Sequence, residues 1–181
     1  MFYCFLATGF EEIEAIATVD MLRRVGVDVA TVCVDGDKNI VTGAHGIPVK
    51  ADISADEVNK ENIEGIILPG GMPGTVNLEN SEAVMAALDY CVENDLYIFA
   101  ICAAPQILGH KGILKGKNAT CYPGFEGELK GAILSDLQAV KDGKVITSKG
   151  PGATVDFACE IIKELKGEKV ACELKESMQC R

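Results

Sequence analysis

The chain has 181 residues, 48% of them hydrophobic, and 17 lysines and arginines stand against 27 aspartates and glutamates, a net charge of −10. That length and apolar content support one domain, residues 1–181, with a real core. The acidic balance carries no basic run, which disfavours nucleic acid and anionic lipid as partners, and no apolar run reaches the roughly 18–20 residues of a membrane span. A small molecule or another protein is the expected partner. The opening MFYCFLATGFEEIEA has no basic region before its apolar stretch, so it does not read as a signal peptide, and a cytoplasmic chain is expected. Eight cysteines without a C-x-x-C pair read as reduced thiols, and two distant histidines, His45 and His110, give little basis for a zinc site. No metal and no cofactor are expected.

In chain order, MFYCFLAT predicts a buried first strand ended by Gly9. From Glu11 to Val25, the apolar residues Ile13, Ile16, Ala17, Met21 and Val25 recur every three or four positions, which predicts an amphipathic helix with that stripe buried and Gly26 as its stop. Glu11, Glu12 and Glu14 fall in its first turn, where the helix dipole favours carboxylates whatever their function. Glu14 precedes Thr18 and Met21 by four and seven positions, on the border of the stripe, where a carboxyl can lean into a site. VDVATVCV predicts a second strand, and the turn-rich DGDKNIVTGAHGIPVKAD a hairpin excursion. EGIILPGG is a further strand running into a glycine pair, and SEAVMAALDYCVEN, with apolar residues at Val84, Ala87, Leu88, Cys91 and Val92, a helix.

The run from Leu96 to Ile101 reads as a strand buried on both faces that passes directly into Cys102, Ala103, Ala104 and Pro105. This is a nucleophile-elbow position, and proline suits the first helical turn that follows. A thiol there is expected to lose its proton more easily than free cysteine, because helix N-terminal amides face it. The alternative is a small buried hydrophobe. Beyond the elbow, KNATCYPGFEG holds a short strand ending at Tyr122 and Pro123, and LQAVKDGKVITSKG two strands joined at Asp142-Gly143. PGATVDFACEIIKELKG predicts a helix stopped by Gly167, and the tail one last short helix. Alternating strands and helices predict an α/β layered fold with a mostly parallel sheet.

Ligands of such sheets sit beyond the carboxyl ends of the strands, where Thr8–Glu14, LPGGMPG, ICAAP and SKGPG all end. LPGGMPG fits neither the P-loop nor the dinucleotide fingerprint. Its Gly70-Gly71 turn reads either as a plain tight turn or, with the amide of Ala103, as an oxyanion hole for a carbonyl over Cys102. Neither histidine is an obvious base for Cys102, which leaves Glu14 as the proton carrier. Buried against sulfur, its pKa would rise.

GFEEIEA, LPGGMPG, ICAAP and TSKGPG, in this order and spacing, resemble the ThiJ/PfpI superfamily, most closely its parkinsonism-associated deglycase (DJ-one) branch and bacterial relatives. The resemblance covers essentially the whole chain. It implies a flavodoxin-like three-layer α/β/α sandwich related to class I glutamine amidotransferases, a homodimer and an oxidation-prone cysteine matching Cys102. By the same match Glu14 is the carboxyl bonded to that sulfur, and Gly71 and Ala103 give the oxyanion amides. The branch's reported activities are glutathione-independent glyoxalase, protein deglycase and redox-dependent chaperone.

Two departures bear on activity. Tyr122 stands before Pro123 where the eukaryotic branch has a pocket histidine; a phenol can bond a carbonyl but, titrating near 10, is a poorer base. Ala103 stands where the peptidase branch has histidine, and no H-x-E follows His45 or His110, so peptidase and amidotransferase readings recede. The expected function is therefore Cys102 attack on an α-oxoaldehyde such as methylglyoxal, free or as a glycated protein, with Glu14 moving the proton and Tyr122 in the pocket. The rival is an oxidative-stress sensor or chaperone through a Cys102 sulfinate, and a third possibility is a scaffold with an inert site.

Overall fold

The computed structural model describes residues 1–180. Strand β1 (Phe2–Leu6) leads into helix α1 (Glu12–Arg24), β2 (Val29–Cys33), the antiparallel pair β3 (Ile40–Thr42) and β4 (Pro48–Lys50), and a two-residue β5 (Ile53–Ser54). Then come β6 (Gly65–Leu68), α2 (Gly74–Glu79), α3 (Glu82–Glu93), β7 (Tyr97–Ile101) and α4 (Pro105–His110). The last part holds β8 (Asn118–Ala119), β9 (Ile133–Leu134), β10 (Ala139–Asp142), β11 (Val145–Ser148), α5 (Thr154–Lys166) and α6 (Glu168–Ser177).

Seven strands form one sheet in the order β10-β11-β7-β6-β1-β2-β5, parallel throughout except for the β10–β11 hairpin at its edge. The chain moves outward from β1 through β2 to β5, then returns to the other side of β1 with β6. The β1/β6 boundary is therefore the topological switch point, the place where open α/β sheets bind ligands.

Strand alternation divides the core in two. Phe2, Cys4, Leu6, Phe99 and Ile101 face the layer that holds α1, α5 and α6, whereas Tyr3, Phe5, Ile98 and Ala100 face α3 and α4. Period-two side chains on a sheet covered on both sides produce this division. The expected α/β/α layering and mostly parallel sheet are found.

Several local expectations are corrected. Ile13 and Ile16 are 56% and 40% exposed, and the buried face of α1 carries Glu14, Ala15, Thr18, Val19, Met21 and Leu22. Apolar residues lie on both sides of this helix, and the side that packs on the sheet and α5 is the one with Ala15, Val19, Met21 and Leu22. Val92 likewise points to solvent. The strand expected to end at Tyr122 stops at Ala119, because Tyr122 spends its N–H on the Cys102 carbonyl instead of a sheet partner. Helix α2 and strand β5, both short, carry no periodic signal long enough to read.

Candidate active site

Cys102 follows the last residue of β7 and has φ +65, the left-handed region that a side chain enters at a cost of about 1–2 kcal/mol. Two backbone bonds hold it there: its N–H donates to the Ser148 carbonyl at 2.9 Å, and its carbonyl accepts from the Tyr122 N–H at 2.8 Å. The turn carries the chain into α4 with Pro105 at its first position. Cys102 is 9% exposed.

Glu14 is fully buried beside it. Its Oε2 accepts the Gly70 N–H at 2.8 Å, while Oε1 is enclosed without a hydrogen-bond partner. The Gly70 carbonyl in turn accepts the Glu11 N–H at 2.9 Å, which ties the glycine loop after β6 to the start of α1. A Cβ at Gly70 would stand 2.5 Å from the Cys102 Cβ and 2.8 Å from Glu14 Oε2, so this position touches both groups at once. Burial pushes Glu14 up to about 7, against the pull of hydrogen bonds from Cys102 and Gly70, and the Glu11 charge adds to the rise.

Burial also pushes the Cys102 thiol up to about 12, with a charged Glu14 adding to it; the amides of Gly71 and Ala103 hydrogen-bond the sulfur and pull the other way. This runs opposite to the easy ionisation expected of an elbow thiol. Desolvation outweighs the helix terminus, and α4 begins three residues on. A proton on Glu14 reverses the sign of that residue's effect, since a neutral carboxyl removes the repulsion and donates to S⁻. The unpartnered Oε1 is suited to carry that proton, because an unmet buried oxygen costs about 1–3 kcal/mol. Cys102 and Glu14 are therefore coupled, each one's proton depending on the other's charge.

The structure brings Cys102, Glu14, Gly71 and Ala103 together. Tyr122 lies one step further out, 45% exposed, with its ring against Gly150. A Cβ at Gly150 would be 2.9 Å from Tyr122 Cδ2 and 3.9 Å from Cys102 Sγ, so the tyrosine, the SKGPG loop and the thiol share one wall. Cys121 is buried, and burial pushes its thiol up to about 11.

Spacing left His45 without a role, and the structure supplies one. The β3–β4 hairpin folds it over α1, where its Nδ1 lies 2.8 Å from Glu12 Oε2 and 3.6 Å from Glu11 Oε2, and its N–H donates to Glu12 Oε1 at 2.8 Å. The three side chains offer ligand atoms within 4.8 Å of one another. His45 compensates two largely buried carboxylates one turn from Glu14, and Glu12 draws its own pKa down through these bonds. Only the excursion's folding back could reveal this.

A mostly parallel sheet with a cysteine at an elbow beside a buried glutamate defines a nucleophile-elbow α/β protein. Residues 2–164 match the model of the DJ-1/PfpI family, and the chain belongs to that family. It is 39% identical over 176 residues to Protein DJ-1alpha of Drosophila melanogaster, covering 96% of this chain and 81% of that protein. Against Deglycase PfpI of Pyrococcus furiosus it is 35% identical over 163 residues, 88% of this chain and 96% of that one. Protein DJ-1 homolog B of Arabidopsis thaliana is longer: the chain, 35% identical over 171 residues and matched over 93% of its length, spans 39% of it. Among solved structures, oxidized Toxoplasma gondii DJ-1 superposes with a TM-score of 0.93 at 32% identity, over 98% of this chain and 97% of that one.

Proposed function

We propose that the chain is a cysteine-dependent enzyme acting on α-oxoaldehydes such as methylglyoxal, free as a glutathione-independent glyoxalase or bound to protein as a deglycase. Relatives named deglycase support the class of reaction. The observation that carries it is Glu14, fully buried, raised to about 7, hydrogen-bonded by the Gly70 amide and set next to Cys102. A carboxyl that titrates near neutrality can both give and take a proton.

The Cys102 thiolate adds to the aldehyde carbon, and the oxygen, facing the amides of Gly71 and Ala103, takes the proton of Glu14. The Glu14 carboxylate then removes the hydrogen from that carbon and returns it to the neighbouring carbon, while the hydroxyl proton passes to the ketone oxygen, which leaves a thioester with a 2-hydroxyl. Water hydrolyses it, so oxoaldehyde and water become a 2-hydroxy acid, and the thiol is restored without a cofactor. Tyr122 donates a hydrogen bond to the ketone. The test is lactate formation from methylglyoxal without glutathione, at equal folded concentration. Cys102→Ala should abolish it, and Glu14→Gln should lower kcat by about 10²–10⁴-fold. Full turnover in a folded Glu14→Gln would sink the assignment.

A second reading has its own support. Two amides and a neutral carboxyl around one sulfur suit a sulfinate as well as a thiolate, and the Toxoplasma relative was solved oxidized. Mild peroxide should then oxidise Cys102 ahead of the exposed Cys172, read by peptide mass mapping; uniform oxidation refutes it.

The same proposal takes residues 1–181 as one domain working in the cytoplasm, where a nucleophilic thiol stays reduced. It takes the chain as a homodimer, supported by the exposed Ile13 and Ile16 of α1, with no nucleic-acid or membrane partner. Among the described residues, no helix is long and apolar enough to cross a membrane.

A further inference from the structure

The SKGPG loop brings one more charged group to the site. Beyond the wall shared by Tyr122 and Gly150 lies an open surface hollow of about 320 Å³, lined by Tyr122, Pro123, Gln138, Lys149, Gly150 and Pro151 among others; among the described residues, Lys149 is the only charged one in that lining. Lys149 follows directly on Ser148, whose carbonyl holds the Cys102 N–H, and its own N–H donates to the Gln138 carbonyl at 3.0 Å. Its backbone is thus fixed relative to the sulfur while its four-carbon stem can sweep the hollow.

Lys149, half-buried, forms no ion pair among the described residues; Lys38, Lys50, Lys60, Lys115, Lys130 and Lys166 are likewise unpaired, but of these lysines Lys149 alone lines this hollow. Glu126 and Asp136 share a second, smaller cavity with it, and neither lies within ion-pair distance. On a chain of net charge −10, Lys149 adds a positive group to the hollow next to Gly150, the residue that borders both Tyr122 and the Cys102 sulfur.

We propose that Lys149 selects α-oxoaldehydes bearing a carboxylate beyond the ketone, the aldehyde carbon lying over Cys102 and the carboxylate in the Tyr122–Lys149 hollow. This substrate class rests on the enzyme reading above. The reaction is unchanged: oxoaldehyde and water give a 2-hydroxy acid, here a dicarboxylate.

The test compares kcat/KM for 4,5-dioxopentanoate, an α-oxoaldehyde with a carboxylate two methylenes from its ketone, with kcat/KM for methylglyoxal. The native chain should prefer the dioxopentanoate, and Lys149→Met should lower that preference about tenfold, through KM rather than kcat, as loss of one charge-assisted hydrogen bond requires. Lys149→Arg should retain most of the preference, and raising the salt concentration should erode it in the native chain. An unchanged preference in Lys149→Met, with methylglyoxal still turned over by the native chain, overturns the proposal alone. If the native chain turns over neither aldehyde, the enzyme reading falls and the proposal with it.

Discussion

Gly70 has no room for a side chain, and its neighbours are the two groups on which the chemistry depends. Alanine there would press a methyl against the Cys102 Cβ and the Ile101 carbonyl, neither of which is the loose end of a flexible chain, and against Glu14 Oε2. Overpacking of this kind costs about 1–3 kcal/mol. Gly70→Ala should therefore lower the melting temperature modestly and remove most turnover, because relief of the clash must separate Cys102 from Glu14. A variant with native turnover would mean that the pair is not held as tightly as these contacts require. Gly71 makes a different demand: with φ +89, and with the Glu11 N and Gly9 carbonyl 2.4 and 2.6 Å from a built Cβ, it is barred to other residues on two counts.

Three separate elements around the elbow meet at one histidine. His110, at the end of α4, lies 2.5 Å through Nδ1 from Glu79 at the end of α2, and 2.9 Å through Nε2 from Glu128 in the turn after Tyr122. The bonds to Glu128 and Glu79 raise the histidine, and the same bond lowers Glu128. A raised folded-state pKa means that the clamp's contribution is whole below the ordinary histidine value of about 6.5 and fades as pH rises through the folded value. For Glu128 the sign is opposite: its contribution is present above the ordinary glutamate value and is lost as pH falls through the depressed one. The melting temperature of the native chain should therefore exceed that of His110→Gln most clearly near pH 5–6, the two curves converging above about pH 8. Parallel curves across that range would show that the clamp holds nothing.

Over the whole molecule, the loops from β1, β6, β7 and β11 converge on one edge of the sheet, and α1 presents Ile13 and Ile16 outward from the same end. The partner proposed for that face is a second copy. Ile16→Glu should shift light-scattering mass from dimer to monomer with little effect on the folded protomer, since the side chain is already 40% exposed. A monomeric native chain would remove the dimer from the proposal. On that proposal, assembly and the site share α1, which carries Glu14 on its inner side and the two isoleucines on its outer side.

The sequence alone determined the alternation of strands and helices, the elbow at Cys102, the β10–β11 hairpin at Asp142-Gly143 and the place of Glu14 on the border of the α1 stripe, where its carboxyl can lean inward. Each is a local signal: periodicity, a turn dipeptide, or a strand running without a spacer into proline. Motif order was enough to point to the family. Only the tertiary structure decided which side of α1 is buried, because that helix has apolar residues on both sides and the sheet and α5 select the one that packs. It decided where Tyr122 and His45 stand, since loop positions depend on backbone bonds to residues 20 and 33 places away in the chain. It also reversed the expected ease of ionising Cys102. Burial, a property of the assembled fold rather than of a motif, outweighs the dipole of a short helix.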